Sequence, residues 1–85
     1  MERFVNARII NTTENVINHK IENEDIIGIL ELDTENGTAT FNGSGYFIFF
    51  EMLIGIGIES QGHTTFITLF EVNEDMWLFE SISEV

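Results

Sequence analysis

The sequence predicts a mainly β domain, all-β or α+β, built as an antiparallel meander of about five strands with one short N-terminal helix. Three observations carry that expectation. Apolar and acidic residues alternate with period two in Ile29-Leu30-Glu31-Leu32-Asp33. Asn-Gly pairs at 36–37 and 42–43 interrupt the runs at short intervals, as hairpin turns do. The stretch from Tyr46 to Glu59 is dense in β-branched and aromatic side chains.

Val5, Ala7 and Ile9 alternate like a first strand. Thr13 to Lys20 fits two helical turns, with Thr12 or Thr13 as N-cap, Glu14 in the first turn and Lys20 near the end. The Val16-Ile17 pair and the three Asn residues work against that helix. In the next strand Leu30 and Leu32 face a core while Glu31 and Asp33 face out, with Glu35 continuing their line. Asn36-Gly37 turns the chain and Thr38 to Phe41 returns as a strand. Asn42-Gly43, with Gly45 just after, starts the next reversal.

Tyr46 to Glu59 is long for one straight strand, so Gly55 and Gly57 are expected to mark a bulge or bend. Ser60-Gln61-Gly62 reads as a turn, His63 to Val72 as a strand, Asn73-Glu74-Asp75 as a turn and Met76 to Ser81 as the last strand. The short connections imply an antiparallel meander. Along the central run Tyr46, Ile48, Phe50, Met52, Ile54, Ile56 and Ile58 share one face, and Phe47, Phe49 and Leu53 the other. A strand apolar on both faces needs cover on both. A small barrel with a minor core would provide it. So would a homodimer whose interface holds Phe47, Phe49 and Leu53, and the dimer is the reading adopted here.

Eighty-five residues make one domain spanning 1–85. The hydrophobic content of 44%, with eight Phe, one Trp and one Tyr, is too high for a disordered acidic tail. Met1 leads straight into Glu2-Arg3-Phe4-Val5, without the pattern of a secretory signal. The chain contains no cysteine, so disulfides and thiolate metal sites are excluded. Both features favour a cytoplasmic protein. The longest apolar stretch is broken by Glu51, Gly55 and Gly57 and is too short for a spanning helix, so no membrane association is expected.

The charge is the main functional clue. Fifteen Asp and Glu face three Lys and Arg, for a net charge of −12. Arg3, Arg8 and Lys20 all precede residue 21. Of the fifteen carboxylates only Glu2 and Glu14 do, which leaves thirteen in a stretch with no basic residue. Solubility needs a magnitude of only about 2–8, and mixed signs would achieve it with less repulsion. Charge runs on turns and outer strand faces are usually solvated surface or guards against edge aggregation. That explains each cluster singly but not the missing Lys and Arg.

No catalytic pattern emerges. Ser44, Ser60, Ser81 and Ser83 sit in no nucleophile elbow, and Gly43-Ser44-Gly45 is too short to cradle a phosphate. Glu51, set among apolar residues, is the one candidate for a carboxyl with a raised pKa. Asp33-Thr34-Glu35-Asn36-Gly37-Thr38 opens like a calcium loop, but Thr38 stands where glycine is needed and Ser44 where glutamate is needed. No enzyme activity, metal or cofactor is expected. Three basic residues cannot supply a phosphate-binding footprint, which sets direct nucleic-acid binding aside.

Acidic residues on a strand serve the reverse role. Alternate residues stand about 6.8 Å apart, at ~3.4 Å per residue. DNA carries one charge per ~1.7 Å of axis, counting both strands. Glu31, Asp33 and Glu35 would form one row of charge, Glu22, Glu24 and Asp25 would lead into it, and Glu71, Glu74 and Asp75 would add a second cluster. In size, charge, lack of cysteine and the stretches IENED, ELDTENG and EVNED the chain resembles the small acidic DNA-mimic inhibitors with which phages disarm host DNA-binding proteins. The resemblance is one of character over the whole chain. It implies a basic DNA-binding protein as partner, first of all a dimeric, sequence-indifferent nucleoid protein of the histone-like HU type, met in the host cytoplasm. The alternative is a structural or interaction module that binds a protein partner through the apolar 46–58 face.

Overall fold

The computed structural model describes residues 1–12 and 26–83. They form seven antiparallel strands and no helix. The strands are β1 (Glu2–Thr12), β2 (Gly28–Asp33), β3 (Thr38–Gly43), β4 (Tyr46–Phe50), β5 (Leu53–Gln61), β6 (Thr64–Glu71) and β7 (Met76–Ile82). The mainly β expectation holds, with seven strands in place of about five. The expected helix at Thr13–Lys20 lies outside the described residues.

All strands belong to one sheet of order β4-β3-β2-β1-β7-β6-β5. It consists of two meanders, β1 to β4 and β5 to β7, joined by pairing of β1 with β7. The outermost strands, β4 and β5, are nevertheless consecutive in the chain, linked only by Glu51 and Met52. In a flat sheet the six steps of ~4.8 Å would hold those edges about 29 Å apart. Three residues, from Phe50 to Leu53, reach at most about 11 Å. The sheet must therefore roll until the end of β4 meets the start of β5.

Two bends produce the roll. In β1 the register slips between Phe4 and Ala7, where Asn6 has a φ of 48°. Its first half pairs with β2 and its second with β7. Asn is among the few non-glycine residues that accept this left-handed conformation. The bulge is tied down on the β7 side: the Ser81 hydroxyl donates to the Val5 carbonyl (2.6 Å) and the Asn6 amide to the Ile82 carbonyl (3.1 Å). The extra residue also shifts the alternation. Phe4, Ala7 and Ile9 face the core, and Val5 is exposed.

The second bend is Glu51-Met52, where Met52 has a φ of 58°. Because six antiparallel steps separate β4 from β5, the two run in the same direction and form one long strand broken in the middle. The break at Met52 falls three residues before Gly55. A smaller register slip follows between Leu53 and Gly55.

The rolled inner face holds the core of Ala7, Leu30, Leu32, Ala39, Phe41, Phe50, Ile67, Leu69, Trp77 and Phe79. Phe41 packs on Phe79 with ring centroids 5.3 Å apart, and Phe50 meets Trp77 edge-on at 4.8 Å. These rings join strands three and four positions apart in the sheet, which only a rolled sheet allows. Each fully buried Leu, Ile or Phe contributes about 1.5–3 kcal/mol.

The turns depart from expectation in detail. Pairing of Asp33 with Thr38 closes a four-residue loop, in which Gly37 alone has positive φ. Pairing of Gly43 with Tyr46 leaves Ser44-Gly45 as the next turn, so Asn42-Gly43 belongs to the strand. Gly43 lies opposite Gly28, where any side chain would collide: a Cβ on Gly28 would fall 2.2 Å from the Asn42 carbonyl oxygen.

Candidate functional site

Three segments converge on the Glu51-Met52 bend. The Leu53 N–H donates to the Gly37 carbonyl at 2.9 Å, which brings in the β2–β3 loop. Leu53 also stands opposite Glu71, which brings in the start of the β6–β7 loop. Carboxylates distant in sequence thereby gather around one corner: Asp33 and Glu35 from the first loop, Glu51 from the bend, and Glu71, Glu74 and Asp75 from the second.

These residues are not equivalent. Asp33 accepts from both the backbone N–H and the side-chain amide of Asn36, at 3.3 and 2.8 Å. The side-chain bond above all holds its carboxyl below the usual range. Glu71 accepts from the Trp77 indole N–H at 2.5 Å and, through its backbone N–H, donates to the Asp75 carbonyl at 2.9 Å. Asp75 is buried, and its N–H donates to the Asn73 side chain at 3.2 Å. Asp33, Glu71 and Asp75 therefore help build the loops, while Glu35, Glu51 and Glu74 are exposed. Glu51, the catalytic candidate, occupies an exposed bend and not an apolar pocket.

Glu31 and Asp33 share the outer face of β2, as expected, and Glu35 leaves that line to sit in the loop. Glu31 stands across from Arg3. Arg8 binds Glu80 on the outer face through Nε at 3.1 Å. Exposed pairs are worth ~0.2–1 kcal/mol, and this one is half-exposed at Arg8 and largely covered at Glu80. Both described arginines thus sit on β1, and residues 26–83 contain no Lys or Arg. Glu22, Glu24 and Asp25 lie outside the described residues.

An open cleft of about 440 Å³ adjoins this corner. One wall is β4, from Tyr46 to Phe50; the other holds Glu71, Asn73, Asp75 and Trp77. Burial pushes the Tyr46 phenol pKa up. Beside the cleft, Phe47 and Phe49 point outward, 62% and 54% exposed. Leu53, expected beside them, packs against the molecule's own core. The left-handed turn at Met52 reverses the alternation, so Leu53 goes inward and Met52 and Ile54 outward.

The sequence did not reveal that β4 has a free edge. Among the described residues its only strand partner is β3. Gly43 and Tyr46 flank a two-residue turn and so must exchange both backbone hydrogen bonds. By alternation Ile48 and Phe50 also point their backbone groups at β3, while the N–H and C=O of Phe47 and Phe49 point to the open side. The two exposed rings and the outward backbone groups therefore belong to the same residues.

Among the described residues no helix is long and apolar enough to cross a membrane, and no three His, Asp or Glu side chains are grouped to hold a metal ion. No protein-family model matches the sequence, and neither the curated proteins nor the solved structures hold a match.

Proposed function

We propose that this protein is a DNA-mimic inhibitor, which occupies the basic DNA-binding surface of a partner protein with its own carboxylates. The observation that carries the proposal is the corner itself. The rolled sheet brings acids from three segments to one place, and residues 26–83 contain no Lys or Arg. A local excess of negative charge on rigid turns attracts a cationic surface over distance and gains further when counterions are released. Glu35, Glu51 and Glu74 are the exposed members and carry the contact; Asp33, Glu71 and Asp75 fix the loops and add their field. A phage protein of this kind would act in the cytoplasm of its host, and HU is the first partner to test.

The experiment is displacement of labelled DNA from purified HU at low salt. The wild-type chain displaces the DNA. The triple charge reversal Glu35→Lys, Glu51→Lys and Glu74→Lys does so at least about tenfold less well, since each exposed reversal removes one attraction and adds one repulsion. Equal displacement by the two proteins would remove the corner from the mechanism.

A second reading rests on a separate observation. Phe47 and Phe49 expose two large rings on a free sheet edge, a surface that isolated proteins usually avoid. A protein partner that covers them would be held by apolar contact and would resist salt.

A further inference from the structure

The open edge of β4 and the acidic corner are contiguous, and together they define a partner more narrowly than charge alone. We infer that β4 accepts an extended segment of a basic protein as an added strand, with apolar and basic residues alternating along it. The inference rests on the proposed binding of a basic partner and specifies how that partner is held.

Four observations lead there. The backbone groups of Phe47 and Phe49 face outward, which is what strand addition requires. The strand is five residues long and ungapped, without proline, glycine, charge or bulge to block pairing. Its outer face carries the two exposed Phe rings, which would meet apolar residues of the added strand. The strand as a whole, from Tyr46 to Phe50, borders the cleft, whose opposite wall carries Glu71 and Asp75, so an added strand would have the rings to one side and this wall to the other. Residues of an added strand point alternately to these two sides. One set would lie beside the rings, and the other would project over negative charge.

Charge also favours such a segment over the competing occupant, the second copy expected from the sequence. A second copy pairing β4 with β4 would double the rings but would bring two −12 chains together at their acidic corners. Like charges in close apposition oppose association. A Lys- or Arg-bearing segment reverses the sign of that term and keeps the backbone pairing.

The test uses the full chain and a short fluorescent peptide of alternating lysine and valine. Binding is followed by anisotropy at low salt, and the backbone is followed by amide hydrogen exchange. The peptide binds, and exchange at the Phe47 and Phe49 amides slows at least about tenfold. The amides of Ile56 and Ile58, which face the open side of β5 by the same alternation, stay unchanged. If the peptide binds while Phe47 and Phe49 exchange as before, the carboxylates hold basic chains without the edge; the strand-addition inference fails and the mimic proposal survives. If HU binds and the peptide does not, the inference again fails alone. Failure of both ligands removes the inference together with the proposal beneath it. Protection of the two amides that rises with protein concentration in the absence of peptide would assign the edge to a second copy, and that too overturns the inference.

Discussion

β4 and β5 come from one apolar run and are the two edges of one sheet, yet they treat their edges differently. β5 opens with a register slip at Leu53–Gly55, folds Phe70 over Gly55, and ends on Glu59-Ser60-Gln61. Bulges, charges and rings laid across edge glycines are ordinary ways of discouraging a further strand. β4 has none of these and displays Phe47 and Phe49 beside outward backbone groups. The chain guards one edge and leaves the other bare, next to the corner where its loop carboxylates gather, so the two edges of the sheet are built differently. The difference arises at Glu51-Met52, where the run turns over.

The strongest way to break this comparison is to detach β4 from the core. Phe50 is its one fully anchored residue, against Trp77 and Phe79. Phe50→Ala should cost about 3–5 kcal/mol in chemical denaturation. The matching change on β5, Ile56→Ala, removes a partly buried side chain and should cost no more than about 2 kcal/mol. Equal costs would mean that the two edges are anchored alike.

The bend is probed next. Gly37 has a φ of 65°, and a Cβ there would lie 3.0 Å from the Leu53 carbonyl oxygen. Gly37→Ala should therefore destabilise by about 1–2 kcal/mol and loosen the loop that brings Asp33 and Glu35 to the corner. Met52→Gly works in the opposite direction. Relief of the left-handed backbone should offset the greater freedom of the unfolded chain, leaving stability unchanged or raised by up to about 1 kcal/mol. Thermal melts of the two variants should move apart.

How much of this was legible in the sequence follows from the same bend. Where alternation is uninterrupted, as in Leu30-Glu31-Leu32-Asp33, the predicted inward and outward faces are those observed. Where one residue takes a left-handed φ, parity is lost, so Val5 and Leu53 exchanged faces with the expected assignment. A positive φ at Asn6 is chemically plausible from sequence, but one at Met52 is not, because nothing in a methionine signals it. Of the expected glycine sites, Gly55 borders the smaller register slip, while the main bend lies at Met52. For the site, clusters of acids were visible in the sequence, but their gathering depends on long-range closure. The pairing roles of Glu71 with Trp77 and Asp33 with Asn36 depend on the loops those residues help to make. The free edge could not be read at all, since strand order is set by the roll and not by any local pattern.

The smallest effect concerns pH. Asn36 holds Asp33 below its ordinary value of 3.8, so the ionised carboxylate favours the folded loop. That contribution is present in full above the ordinary value and is lost as pH falls through the lowered one. An acid titration of stability should show this loss in the wild type, and Asp33→Ala should flatten the curve in that window.

The most direct test of the central claim is the affinity for a basic DNA-binding protein, HU first, measured by titration calorimetry across a series of salt concentrations with DNA as competitor. The account predicts binding that weakens at least about tenfold from low to high salt and is displaced by DNA, with the part that survives salt lost when Phe47 and Phe49 are replaced by threonine. Affinity indifferent to salt and to DNA would contradict it, and would reduce the acidic corner to solvated surface.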